Sequence, residues 1–160
     1  MVEEWRLLDT GVHDAFYNMA LDEATAVARS RNLVPDTIRF YRWKPSAVSI
    51  GYFQSMEDEV DISACESKGV DYVRRITGGG AVYHDYEGEL TYSIIIDEGH
   101  RLVPKDILNS YEVLCSGLIH GLNLLGVQAE FKPINDIIVG GRKISGNAQT
   151  RRMGVVHQHG

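Results

Sequence analysis

Two stretches of this chain concentrate the residue types that do chemistry. The first, RRITGGGAVYHD (residues 74–85), sets Arg74 and Arg75 before three consecutive glycines. Glycine accepts positive φ and lets main-chain N–H groups approach a ligand, at a cost in folding entropy. Arg75 adds a permanent cation whose planar fork suits phosphate or carboxylate. Amides in a glycine turn can also form an anion-holding concavity. The competing reading is a purely structural glycine-rich hairpin, and composition alone leaves both open. Two familiar phosphate loops are excluded by spelling. Gly80 runs into Ala81, Val82 and Tyr83 instead of the lysine and hydroxyl of GxxxxGK[ST], and Tyr83 stands where GxGxxG needs its third glycine.

The second stretch is PINDIIVGGRKISGNAQTR (residues 133–151). Gly140 and Gly141 can supply the positive φ of a two-residue turn, so DIIV and RKIS read as hairpin arms. That pairing brings the Asp136 carboxylate and the Lys143 ammonium to the same end of a sheet. Singly, Lys143 reads as an exposed strand lysine and Asp136 as a turn former. His157 and His159 are two apart on a predicted strand and share a face, but no third metal ligand of the right type stands nearby in sequence. Cys65 and Cys115 are widely separated and form no CxxC pair, so neither a zinc site nor a disulfide framework is indicated.

These residues need a scaffold, and the spacing predicts one. EEWRLLDT reads as a short strand. DAFYNMALDEATAVARS carries Phe16, Met19, Ala20, Ala24, Val27 and Ala28 at helical spacing, with Asp14 as N-cap. TIRFYRW and AVSIGYF read as strands, DISACESKG as a brief helix closed by Gly69, and VDYVRR as a strand leading into the glycines. ELTYSIII alternates Leu90, Tyr92, Ile94 and Ile96. A long helix beginning near Pro104 carries a stripe of Ile107, Tyr111, Leu114, Leu118, Leu122 and Leu125, and Gly126 ends it. Cys115, beside the stripe, reads as a small core residue. VQAEFK and the terminal GVVHQHG read as further strands. The fold class is therefore α+β, a single domain over residues 1–160 built on a largely antiparallel or mixed sheet flanked by helices. Nothing after GVVHQHG caps the sheet, which predicts a continuation outside this polypeptide.

Bulk properties narrow the function. A net charge of −6 argues against a general nucleic-acid binder. No stretch approaches the roughly 20 apolar residues of a membrane span. The start, MVEEWRLLDT, has acidic residues where a secretion signal needs basic ones. These features predict a cytoplasmic protein without nucleic-acid or membrane partners.

RRITGGGAVYHD together with NDIIVGGRKISGNAQ and HQHG closely resembles the lipoate–protein ligase A family, which shares its catalytic domain with biotin ligases and octanoyltransferases. FYRWKPSAVSIGYFQ and NMALDEA extend the resemblance over nearly the whole chain. It implies ATP-dependent activation of lipoate to lipoyl-adenylate, then transfer to a lysine of a lipoyl domain. By the same resemblance Arg75 binds the nucleotide phosphates, and Gly80, Ala81, Val82 and Tyr83 line the adenylate through their backbone. Gly78 and Gly79 allow close approach of lipoate, and His159 sits at the acyl site. Lys143 touches both the lipoyl carbonyl and the α-phosphate. Asp136 holds Mg²⁺, with Asn135 ordering its loop. His84 and Asp85 match the family string and read as turn formers. The implied partners are lipoyl-domain proteins, such as 2-oxoacid dehydrogenase E2 subunits and the glycine-cleavage H protein.

Two other readings share the fold. An octanoyltransferase moves an acyl group from a carrier protein through a cysteine thioester without ATP, and needs a thiolate at the acyl site. FKPINDIIVGG has no cysteine where such a nucleophile is expected, so the ligase is the expected activity, although QTRRMGVVHQHG and WRLLDTGVHDAFYNMALDEA are transferase-like. The third reading is a subunit that binds lipoate or an adenylate and is inactive without a partner. Its motive is length: the chain is shorter than the family's catalytic domains, which predicts a missing C-terminal portion and accessory domain, or a separate accessory subunit. A glycine triplet that cradles a ligand also predicts that Gly79→Val harms binding more than folding.

Overall fold

The computed structural model describes residues 3–160. In chain order the elements are β1 (Trp5–His13), α1 (Ala15–Ser30), β2 (Asp36–Trp43), β3 (Ala47–Ile50), α2 (Met56–Glu59), α3 (Ile62–Lys68), β4 (Asp71–Arg74), β5 (Val82–His84), β6 (Thr91–Asp97), α4 (Ile107–Leu124), β7 (Ala129–Lys132), β8 (Asp136–Val139), β9 (Arg142–Gly146), β10 (Ala148–Arg152) and β11 (Val155–His159). Five strands form the main sheet in the order β1-β2-β6-β11-β10, and two three-stranded sheets, β4-β3-β5 and β7-β8-β9, flank it. Parallel pairing is confined to β1 with β2 and β3 with β4. The result is the expected α+β fold on mixed, largely antiparallel sheets.

Local chemistry fixes most boundaries. Asp14, Asp61 and Asp106 each accept a hydrogen bond from the main-chain N–H three residues on, capping α1, α3 and α4; such a cap contributes about 1 kcal/mol. Gly69 and Gly126 end α3 and the turn after α4 at φ values of 63° and 84°. Gly140 and Gly141 take φ of 54° and 77°, both positive as a two-residue hairpin turn requires.

The two faces of the main sheet differ. One packs Tyr92, Ile94, Ile96 and Val156 against Leu114 of α4. The other, under α1, is polar at its centre. There α1 buries Asn18, Asp22 and Thr25, while Phe16 is 59% exposed and Ala20 and Ala24 lie outside. The expected apolar stripe is thus only partly buried: Met19 packs in the core, but Phe16, Ala20 and Ala24 face outward. The cause is Arg39 of β2, wholly buried, which donates to the Asn18 carbonyl, Asn18 Oδ1 and Asp22 Oδ1 at 3.0, 2.6 and 2.8 Å. A buried guanidinium must be met by acceptors, so the helix turns its polar residues inward. Strand β6 also departs from simple alternation: Thr91 to Ile96 are all buried, because it is central and covered on both faces.

Candidate active site

A cavity of about 1150 Å³ opens between the α4 face of the main sheet, the glycine loop and the β8–β9 hairpin. That exceeds the usual range of roughly 300–1000 Å³ for small-ligand sites. Its apolar wall is built from Ile38, Phe40 and Ile94 of the sheet and from Leu114, Leu118, Leu122 and Leu125 of α4. The later part of the predicted α4 stripe therefore faces both core and hollow: Leu114 and Leu118 pack in the core and also line the cavity, while Leu125 at its rim remains 81% exposed. Ser49, Arg75, His84, Glu89, Asn135 and Lys143 supply polar groups.

The glycine loop wraps around its own arginine. Arg75 Nη2 donates to the Gly78 and Gly80 carbonyls at 2.8 Å each, Nη1 to the Ser49 carbonyl and Oγ at 2.9 and 3.1 Å, and Nε to Thr77 Oγ1 at 3.1 Å. The fork expected to grip phosphates is occupied inside the fold. Arg74 likewise donates to the Gly51 and Tyr52 carbonyls. Gly79 needs its freedom, with φ of 95°, and a Cβ there would lie 3.0 Å from Arg75 Nη2. A Cβ on Gly51 would fall 2.0 Å from the Gly79 carbonyl oxygen. The main-chain N–H groups of Gly79, Gly80 and Ala81 donate to no protein acceptor among the described residues. Gly79, Gly80, Ala81 and Val82 line the cavity, whereas Gly78 and Tyr83 do not. Tyr83 is 57% exposed.

Two hydroxyl–histidine–carboxylate chains flank Arg75. In one, Thr77 Oγ1 lies 2.7 Å from His159 Nε2, and His159 Nδ1 is 3.5 Å from Asp22 Oδ2. Burial pushes the His159 imidazole down to about 4, so it stands neutral. Burial alone would raise Asp22, but hydrogen bonds with His157 and His159 hold it well below the usual carboxylate range. In the other chain, Ser49 Oγ lies 2.7 Å from His84 Nε2, and His84 Nδ1 is 2.7 Å from Glu89 Oε1. Burial opposes ionisation of Glu89, yet contacts with His84, Thr91 and Trp43 bring it below its ordinary value. His84 is thus more than the expected turn former, while Asp85 is one, accepting from Gly88 N at 2.8 Å.

On the hairpin, Lys143 Nζ meets Asp136 Oδ1 at 2.7 Å, as the two-residue turn predicts. Gly146 makes this possible, since a Cβ there would stand 2.7 Å from the Lys143 ammonium. Asn135 is tied to Asn147, whose N and Nδ2 donate to the Asn135 carbonyl at 3.0 and 2.7 Å, and so orders the loop. Asp136 Oδ1 is paired with the Lys143 ammonium, and among the described residues Asp136 belongs to no cluster of three potential metal ligands.

Among the described residues the one cluster of three potential metal ligands is Asp22, His157 and His159, their ligand atoms all within 4.8 Å of one another. The third ligand that the sequence lacked near the histidines comes from α1. Arg39 and Tyr41 already hold Asp22, at 2.8 and 3.1 Å. A dication would sit against that fixed guanidinium, so the cluster is a hydrogen-bond network. Asp22, Arg39, Ser49 and Glu89 were not singled out in the sequence as site residues. No short motif links them, because the chain folds them together from separate elements.

Neither cysteine reaches the cavity. Cys65 packs with Ile50 and Val60. Cys115 is wholly buried beside Ala129 and Ile137, and burial pushes its thiol up to about 11.

Comparison with known proteins finds relatives over nearly the whole chain. The family model of the lipoyl protein ligase A/B catalytic domain matches residues 14–160. Octanoyltransferase LipM of Macrococcus caseolyticus is 40% identical over 183 aligned residues, covering 100% of this chain and 66% of that protein. LipM of Symbiobacterium thermophilum is 44% identical, covering 100% of this chain and 65% of that protein. Among solved structures, the bi-partite lipoate protein ligase of Thermoplasma acidophilum superposes with a TM-score of 0.81 at 32% identity, covering 99% of this chain and 60% of that one. The chain thus spans about two thirds of the length of the curated relatives it matches.

Proposed function

The chain belongs to the lipoyl protein ligase A/B catalytic-domain family, and from that premise we propose that it is the catalytic domain of an octanoyltransferase. It moves an octanoyl group from a carrier thioester to the ε-amine of a lysine on a lipoyl domain, without ATP. The observation that carries this reading is its 40% and 44% identity, over the whole chain, to octanoyltransferases. This corrects the ATP-dependent ligase expected from the motif spelling, since the ligase structure stands further off at 32%. ATP and Mg²⁺ leave the scheme with it, in keeping with an Arg75 fork and an Asp136 carboxylate that are both occupied within the fold.

The site suits an acyl thioester. The aliphatic wall of α4 and the sheet takes the hydrocarbon chain. Lys143, at the rim and 57% exposed in its side chain, offers an ammonium to the oxygen on which charge develops as the carbonyl is attacked, and Asp136 aims it. The N–H groups of Gly79, Gly80 and Ala81 supply neutral donors at the same cavity. A lipoyl domain, as in 2-oxoacid dehydrogenase E2 subunits or the glycine-cleavage H protein, is the acceptor. Among the described residues no helix is long and apolar enough to cross a membrane. The test is incubation with octanoyl-carrier protein and a lipoyl domain, read by the mass of the lipoyl domain. An octanoyl gain on its target lysine is expected, and an unchanged mass refutes the proposal.

A further inference from the structure

A lipoyl domain carries its target lysine on a short four-carbon stem, so the folded acceptor must settle on the surface around the cavity. We propose that the loop after β3, with Phe53 at its tip, is the docking surface for that acceptor. The inference rests on the lipoyl domain being the acceptor, as read above, and names the surface that holds it.

Phe53 is 87% exposed, more than any other large apolar side chain among the described residues. The loop that carries it is braced. Gly51 N donates to Gln54 Oε1 at 2.9 Å, and Gln54 N donates back to the Gly51 carbonyl at 3.1 Å. Arg74 Nη1 donates to the carbonyls of Gly51, Tyr52 and Gln54. Tyr52 N donates to the Thr77 carbonyl at 2.9 Å. The Phe53 and Tyr52 rings meet edge to face with centroids 5.1 Å apart, and the Arg152 guanidinium lies over the Tyr52 ring at 4.2 Å. A ring held out in this way loses little further freedom when a partner closes on it. Aromatic residues, Met and Arg are the types enriched at protein–protein contacts, and Tyr52, Phe53, Arg152 and Met153 are all exposed.

Position selects the partner. Gly79, Gly80 and Ala81 are exposed and also line the cavity, so the glycine loop forms part of its rim. Gly51 packs against that rim, since a Cβ there would fall 2.0 Å from the Gly79 carbonyl oxygen. Phe53 follows two residues later. A stable protein–protein contact covers about 800 Å² on each partner, so an acceptor seated over the rim also covers this loop. The donor is less constrained: a carrier delivers its thioester on a long flexible arm, and its folded body can stand off from the rim.

Charge agrees with a specific partner. The ion-paired arginines among the described residues are Arg29, Arg39, Arg101 and Arg151, which leaves Arg74 and Arg152 without carboxylate partners. On the other flank α2, which follows the loop, carries Glu57, Asp58 and Glu59. An apolar centre between cations and carboxylates fits a face with an apolar hollow and the opposite order of charge, and that order fixes the register of docking.

The test places p-benzoylphenylalanine at position 53 of the full chain and irradiates it with octanoyl-carrier protein and an unmodified lipoyl domain together. A cross-link to the lipoyl domain, on the face bearing its target lysine, is expected. In steady-state assays Phe53→Ala should raise KM for the lipoyl domain by about tenfold or more, the scale of truncating an interface anchor. Its kcat and its KM for the carrier should not change, because Phe53 meets neither the acyl group nor the carrier. Phe53→Leu should restore most of the affinity, and both variants should keep Tm within about 2 °C. A cross-link to the carrier alone or to neither protein, or an unchanged KM for the lipoyl domain in Phe53→Ala, overturns the inference and leaves the transferase reading standing. A cross-link to the lipoyl domain by a chain that transfers no octanoyl group keeps the docking surface and overturns the transferase reading instead.

Discussion

Replacing Gly79 and Gly80 by valine, one at a time, separates what the glycine loop does for the fold from what it does for the ligand. Gly79 has φ of 95°, and its Cβ would press on Arg75 Nη2 at 3.0 Å. A strained φ/ψ costs about 1–3 kcal/mol, and disturbing the Arg75 bonds to the Gly78 and Gly80 carbonyls adds about 1.5–3. The sum, about 2.5–6 kcal/mol, lowers the Tm of a domain this size by about 5–20 °C. Gly80 is the opposite case. It has no positive φ, its Cβ would meet open space, and it lines the cavity. Gly80→Val should leave Tm within about 2 °C, as for substitutions away from packed features. It should weaken binding of a non-transferable octanoyl-amide analogue of the donor by about tenfold or more, the scale set by ~1.4 kcal/mol of lost contact. Thermal unfolding and calorimetry read the two effects independently. Gly79→Val is therefore expected to cost folding as well as binding, because the β-carbon meets Arg75. An unchanged Tm for Gly79→Val, or normal analogue binding by Gly80→Val, refutes this reasoning.

Arg75→Met should destabilise the fold by about 3–5 kcal/mol, read by urea unfolding, since it strands the buried Ser49 carbonyl and frees the part-buried Gly78 and Gly80 carbonyls that shape the loop; a neutral or stabilising outcome would mean that Arg75 faces a ligand after all. Stability should fall as pH drops from about 6.5 to about 4, because His159 is held neutral in the fold down to about 4 while the unfolded chain takes up its proton near 6.5. The shift corresponds to about 3 kcal/mol, and His159→Gln should flatten that slope in Tm against pH. Lys143→Ala should change stability by no more than about 0.5 kcal/mol but slow transfer by about 10²-fold, measured by stopped assays on folded protein. A Cys65→Ser, Cys115→Ala double variant should transfer at close to the wild-type rate, and loss of transfer in a folded sample would implicate a thiol.

Elements with a local cause were legible in the sequence. The DIIV-GG-RKIS hairpin follows from two glycines that tolerate positive φ, and the Lys143–Asp136 contact follows from the hairpin. The Asp14 cap and the Gly69 stop were equally readable. GVVHQHG was readable as a strand, though not its place between β6 and β10. What escaped is set by long-range pairing. The inward polar face of α1 depends on Arg39, and nothing local to the helix announces that a buried guanidinium will face it. Ser49, His84 and Glu89 come from β3, β5 and the turn before β6, and only the antiparallel register of β3 with β5 brings the first two together. Residue type reveals the fork of Arg75 but not that the Ser49, Gly78 and Gly80 carbonyls occupy it. The activity was misjudged for a related reason. A missing cysteine in one segment and the ligase-like spelling of the motifs favour a ligase over the transferase alternative, whereas the whole chain is 40% and 44% identical to octanoyltransferases.

The central claim is that the acyl donor is a thioester and not a carboxylate activated by ATP. The most direct measurement compares two complete reactions on one lipoyl domain, followed by intact mass: octanoyl-carrier protein without nucleotide, and free octanoate or lipoate with ATP and Mg²⁺. Modification in the first reaction, unaffected by added ATP, with none in the second, is the predicted result. Modification only in the second, with release of pyrophosphate, would contradict the account.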